Sequence, residues 1–207
     1  MQTEVSRRID DAGNRYFSAP DVKLAINEGY EEMSDASEWY ELNAPIALVQ
    51  DNQYYNLQLQ FPSDKVPLSV TSVWNVQTSK WLDPTSPMEL DATTFRWGNT
   101  SGEPEAFFVR GLWVLGVYPK CAQNSGTLTV YYTAVPDPMV DDADLPGFDQ
   151  EFHFGLIEYA LYDLYSQEEE TKQALLHYKQ YLEHEKALRD SVKRRTLDRV
   201  AGWRHAG

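Results

Sequence analysis

The sequence predicts an α+β protein: a four-helix domain built from both chain ends, with an antiparallel β sandwich or barrel inserted between its helical pairs. Three observations predict it. Apolar residues recur at helical spacing near both ends, β-branched and aromatic residues alternate with polar ones in the middle, and proline- or glycine-containing stretches separate the two regimes. The predicted boundaries are 1–43 with 136–192 for the helical domain, 44–135 for the inserted β domain, and 193–207 for an extended C-terminal tail. An inserted domain needs its two connections close together, which would make Asn43 and Pro136 neighbours.

The elements follow in order. A short helix is predicted around residues 4–12, with Val5, Ile9 and Ala12 inward. A second starts at Ser18 as N-cap, with Pro20 and Asp21 in the first turn, where a missing N–H is harmless and a negative charge suits the helix dipole. Val22, Ile26, Tyr30 and Met33 give it one apolar stripe, and the helical hairpin ends near residue 41. Strands are expected at 55–61, which alternates strictly, and at 68–76, 106–110, 112–118 and 127–133. After an acidic link at 136–147, Phe152, Leu156, Tyr159 and Leu164 restore helical spacing. Ser166 and Glu169 match a capping box and would start the last helix, whose apolar face reads Leu175, Tyr178, Leu182, Leu188 and Val192 before fading near Arg194.

Composition narrows the function classes. Aromatic residues make up 13% and hydrophobic ones 42%, so the chain can bury a core rather than remain disordered. One cysteine, Cys121, rules out an internal disulfide framework and fits synthesis in a reducing cytoplasm. The first residues lack the apolar core of a signal peptide, and no run approaches a membrane span, so neither export nor insertion is expected. A net charge of −14 argues against duplex wrapping, which draws its affinity from cations on phosphates. The charge is segregated: residues 186–207 hold seven basic and two acidic residues, a net +5, which leaves −19 for the rest.

No phosphate-cradling, zincin, dinucleotide or nucleophile-elbow motif occurs, so no enzyme class has local support. His177 and His184 share a helix face but lie about 10 Å apart along it, too far for one metal, and read as surface or partner-contacting residues. The acidic stretch from Asp141 to Gly147 resembles a calcium loop only in part: Pro146 breaks it, and His153 stands where a bidentate glutamate belongs. Neither metal nor cofactor is expected. With 32 acids available, no glycosidase-type carboxylate pair is singled out. Trp74, Trp81, Trp97 and Trp113 read as core or interface anchors, or as a sugar-stacking platform. Lys193, Arg194, Arg195, Arg199, Trp203 and Arg204 join cations to one aromatic anchor, a composition suited to ordering on a protein partner.

The order of segments resembles a known family. Asp10-Asp11, the helix start from Phe17 to Asp21 and Ile26-Asn27-Glu28 look like the opening of head-to-tail adaptor (connector or head-completion) proteins of tailed bacteriophages. Asp144-Leu145-Pro146, Phe152-His153, the stretch from Tyr159 to Tyr162 and Gln167-Glu168 are similar to the closing helical pair of many such neck proteins. The resemblance covers roughly residues 4–40 and 140–188, without a catalytic signature. It implies a virion neck protein, made in the host cytoplasm, that forms a ring of usually twelve copies beneath the portal protein after DNA packaging and offers a platform to a tail or nozzle protein. It also implies that the C-terminal segment docks on the portal, a role carried onto Lys193, Arg194, Arg195, Arg199, Trp203 and Arg204. Trp81 and Trp97 of the β domain would contact the next component. A ring of chains at −14 each repels phosphates, so DNA would pass its lumen without specific binding. Two rival readings stay open: a tail or receptor-binding protein whose aromatic-rich β domain grips a glycan, and a hydrolase with a carboxylate pair.

Overall fold

A computed structural model describes residues 1–9, 16–63, 65, 67–111, 113–124, 126–141 and 143–204, with the side chains of 196–204 outside the description. It divides into two compact units, Met1–Trp39 with Pro136–Gly207, and Tyr40–Val135.

In the first unit, α1 (Gln2–Arg8) is shorter than the 4–12 expected; Val5 is buried, Ile9 caps the helix, and Ala12 lies outside the described residues. α2 (Ala19–Ser37) begins as its sequence requires. Ser18 Oγ accepts from the Asp21 N–H, and the Asp21 carboxylate accepts from the Ser18 N–H, which satisfies two otherwise orphaned donors. Val22, Ile26, Tyr30 and Met33 enter the core. The acidic link is fastened by side chains: Asn27 both donates to the Met139 carbonyl (3.1 Å) and accepts from its N–H (2.9 Å), while Asp144 accepts from the Val140 and Asp141 N–H groups at 2.7 Å.

The helix α4 is set with its partner α5 in the same unit; α4 spans His153–Gln167 and α5 spans Thr171–Arg204. Two expectations fail here. Ser166 starts nothing: it lies in the last turn of α4 and donates to the Tyr162 carbonyl at 2.7 Å. Residues 193–204 are helix rather than extended tail, because α5 continues through Arg204, about 51 Å from its start at 1.5 Å per residue. The phase of α5 also differs from the sequence reading. Its buried positions are Ala174, Tyr181, Glu185 and Leu188, while Leu175, Tyr178 and Leu182 remain 53%, 36% and 40% exposed. The core that α1, α2, α4 and α5 share is completed by Met139, Phe148 and Phe152 from the connecting stretch.

Among its described residues the second unit holds ten strands: β1 (Glu41–Ala47), β2 (Tyr54–Asn56), β3 (Pro67–Asn75), β4 (Lys80–Trp81), β5 (Asp83–Pro84), β6 (Ser101–Gly102), β7 (Ala106–Arg110), β8 (Val114–Tyr118), β9 (Lys120–Cys121) and β10 (Thr127–Ala134). One sheet runs β1-β10-β3-β4, all antiparallel, and a second runs β2-β8-β7-β5, with only β5 and β7 parallel. β6 and β9 form a small parallel pair. Leu128, Val130 and Tyr132 alternate inward from β10 and meet Leu115 and Val117 from β8, so both sheets line one core without closing a barrel. Residues 57–59 form a 3₁₀ turn instead of continuing the expected 55–61 strand, with the Asn56 side chain accepting from the Gln58 N–H. The Tyr40 carbonyl accepts from the Ala134 N–H at 3.0 Å, which holds the two ends of this unit side by side. A helix the sequence reading lacked, α3 (Pro87–Thr93), starts on the Ser86 cap.

Candidate functional site

The residues read as a docking element sit on α5, and a buried polar link holds that helix in place. Glu158 is wholly buried on α4. Arg8 Nη1 of α1 donates to its Oε1 at 2.8 Å, and His177 Nδ1 of α5 lies 2.7 Å from its Oε2. A buried carboxylate costs several kcal/mol unless paired, so two partners on two other helices tie α1 and α5 to α4 at one point. The His177 ring stacks on Tyr165 at 5.5 Å, and the Tyr165 hydroxyl donates to the Arg8 carbonyl at 3.5 Å. Arg8 also bonds Glu4, whose carboxyl is held at about 2 by hydrogen bonds from Arg7 and then Arg8. His177 is therefore an internal pairing residue, not the surface histidine its sequence suggests. The available signal was an acid between Ile157 and Ala160, at a core position of an otherwise apolar run.

Past this anchor α5 turns basic. Phe154, near the start of α4, meets His184 at 5.7 Å, so the later residues of α5 run beyond that start. Leu188 is the last fully buried side chain described on the helix, and Val192 packs partly against the core. Lys193, Arg194 and Arg195 follow and are exposed. Arg194 Nε donates to the Asp190 carbonyl at 3.3 Å, and Arg195 pairs with Asp149. Arg199, Trp203 and Arg204 have backbone in α5, but their side chains lie outside the described residues. The structure thus brings three of the six residues that the sequence suggests for docking to one exposed helix end.

A second surface joins α2, α4 and α5. Tyr159 covers Gly29 of α2, where an added Cβ would come within 2.9 Å of the tyrosine ring. It packs on Tyr181 at 5.1 Å and Tyr162 at 5.8 Å, and Tyr162 packs on Tyr178 at 4.8 Å. Burial, with the charges of Glu32, Glu28 and Asp163 added, pushes the Tyr159 phenol up to about 12. Burial and then the charges of Asp163 and Glu31 push Glu28 upward as well. None of Glu28, Glu31 or Glu32 enters an ion pair among the described residues.

In the β unit the two singled-out tryptophans part company. Trp81 is half-buried between Trp74 (5.0 Å) and Tyr131 (5.4 Å), on the face of its sheet turned away from the inward-pointing β10 residues. Trp97 is only 8% exposed: it stands edge-on to Phe108 and Tyr118, and its Nε1 donates to Asp91 at 2.7 Å. Its large apolar ring is used to seat α3 on the β unit, so Trp97 offers a partner little surface.

These features place a basic helix end, an acid-rimmed tyrosine surface and an aromatic patch on a chain whose described residues hold no group of three or more His, Cys, Asp or Glu able to bind a metal. A family model described as SU10 adaptor protein matches residues 1–204. The chain belongs to the SU10 adaptor protein family. No curated protein matches it. The family match runs through the β unit as well as both helical ends, beyond the stretches that carry the resemblance in the sequence. Membership makes the chain a phage adaptor, a structural component of the virion that works with other virion proteins, and favours that role over catalysis. No described helix is long and apolar enough to cross a membrane.

Proposed function

We propose that this protein is a ring-forming neck adaptor that docks on the portal after DNA packaging and joins the head to the tail. A four-helix body from the two chain ends forms the ring, and the inserted β sandwich meets the tail or nozzle component through Trp81 and its neighbours. Membership of the SU10 adaptor family supports the class. The observation that carries the docking element is the exposed basic end of α5, with Lys193, Arg194 and Arg195 following the last core contacts of an otherwise acidic chain. A helix clamped through Glu158 holds that end in a fixed direction, so little conformational entropy is lost when it binds. The ring has twelve copies in this reading, and its acidic wall lets DNA pass without adhering.

Co-sedimentation with the cognate portal tests the reading, comparing the full chain with one ending at Val192, which keeps the core contacts of α5. Binding by the full chain that the shorter chain loses supports it. Equal binding by both moves the docking element elsewhere, and no binding by either removes the portal as partner. A second reading, glycan binding by a tail protein, draws on the half-buried Trp81–Trp74 pair. It requires saturable glycan binding that Trp81→Ala abolishes.

A further inference from the structure

β1 leaves the chain connection at Tyr40 and β10 returns to it at Ala134, so the far end of the β unit lies past Ala47, Asn75 and Thr127. A cavity of about 340 Å³ opens at that end. Leu48, Pro104, Cys121 and Ala122 give it apolar walls, and Asn75, Gln77 and Glu103 give it polar ones. An apolar cavity of about 150 Å³ holds benzene, so this one has room for a large apolar side chain. The Cys121 thiol donates to the Gln123 carbonyl at 3.0 Å and so adds no unmet polar group to the wall.

Two of the polar groups ask for something the β unit does not supply. Asn75 is 1% exposed, and its Oδ1 accepts from the Gln77 N–H at 3.1 Å and the Thr78 N–H at 3.4 Å. Those two bonds fix which way the amide points and leave its Nδ2 with no acceptor among the described residues. A donor buried without an acceptor is costly, and a bound carbonyl would satisfy it. Glu103 is exposed and enters no ion pair among the described residues, so its charge favours an occupant that carries a cation. The cavity also adjoins the aromatic patch: Asn75 pairs with Lys80, and the preceding Trp74 pairs with Trp81, facing the opposite side of the same two strands.

We propose that this cavity is a socket for one apolar side chain on an extended segment of the tail or nozzle component, whose main-chain carbonyl takes the Asn75 Nδ2–H and whose neighbouring cation sits on Glu103. An extended backbone sends successive side chains to opposite sides and presents its own carbonyls between them, so one short segment can meet all three groups at once. The inference rests on the adaptor reading above and adds, beside the Trp81 contact, the chemistry of the segment that binds.

The test titrates the virion's own tail or nozzle protein into the full-length chain, both free and assembled on the portal, with binding read by sedimentation. Glu103→Lys and Ala122→Trp change exposed positions, the first reversing the charge at the rim and the second filling the socket. Asn75→Asp keeps the oxygen that Gln77 and Thr78 bond and removes the donor. Binding should weaken about ten-fold for Glu103→Lys and for Asn75→Asp, and on the order of a hundred-fold for Ala122→Trp. The chain's single cysteine lines the socket, so alkylation of Cys121, followed by mass spectrometry, should slow about ten-fold or more in the saturated complex. Wild-type affinity in both Glu103→Lys and Ala122→Trp, or a Cys121 rate unchanged in the saturated complex, would overturn the socket. Binding that Trp81→Ala abolishes while those two variants keep it would place the contact on the aromatic patch alone, refuting the socket and leaving the adaptor reading standing. A wild-type chain that binds the component in neither state would overturn the tail contact of that reading, and the socket with it.

Discussion

Replacing Glu158 by alanine tests the link that fixes α5. The carboxylate has no exposure, and its removal strands two cationic or polar partners, Arg8 at 28% and His177 at 16% side-chain exposure. Removing one member of a buried pair costs about 3–5 kcal/mol; Arg8 reaches water and can be partly resolvated, which puts Glu158→Ala near the lower end, about 3 kcal/mol. With a urea slope of about 2 kcal/mol/M, the midpoint of the helical transition, followed by circular dichroism at 222 nm, should fall by roughly 1.5 M. Replacing all three residues by apolar ones of similar volume, Arg8→Met, Glu158→Leu and His177→Leu, should restore most of the loss, because the penalty comes from unpaired polarity rather than from volume. A midpoint shift under about 0.3 M for Glu158→Ala would refute the reasoning, as would a triple variant no better than the single one.

Three further outcomes follow from the same geometry. Trp97→Ala should destabilise the β unit by about 3–5 kcal/mol and leave portal binding by folded protein intact, whereas Trp81→Ala, at a half-buried position, should cost clearly less in the same thermal melt. Gly116→Ala would place a Cβ 2.2 Å from the Phe108 ring and should cost about 1–3 kcal/mol, measured by denaturant unfolding. Two titrations have opposite signs. Glu4 has its carboxyl lowered in the folded state, so its contribution is present above the unfolded value near 4.5 and is lost as pH falls through about 2. Tyr159 has its phenol raised, so its contribution is intact below pH 10 and is lost as pH rises through about 12; side-chain NMR and phenolate absorbance report the two steps.

The α+β class and the main helices were legible because their signals are local. The Ser18–Asp21 box fixes the start of α2 whatever packs against it, and the alternation in 106–110 and 127–133 matches β7 and β10. What the sequence hid depends on contacts between distant segments. Leu175, Tyr178 and Leu182 satisfy a helical repeat as well as Ala174, Tyr181 and Leu188 do, and only the packing of α4 decides which stripe is covered. Residues 55–61 alternate like a strand, yet β8 pairs only with Tyr54–Asn56 before the chain turns. β1 is absent from the strands expected from the sequence; it carries Pro45 and lies at a sheet edge, where a missing N–H is tolerated. Among the site residues, the basic run at Lys193–Arg195 was legible from charge alone, whereas the burial of Trp97 by Phe108 and Tyr118 and the pairing of His177 with Glu158 were not.

The most direct test of the central claim is electron-microscopic imaging of the cognate portal after incubation with the full-length protein. The account predicts a closed ring of protein on the portal, with the ends of α5, residues 193–204, at the contact. Portal particles that carry no ring, or a ring that meets the portal through the β unit while the ends of α5 face solvent, would contradict it.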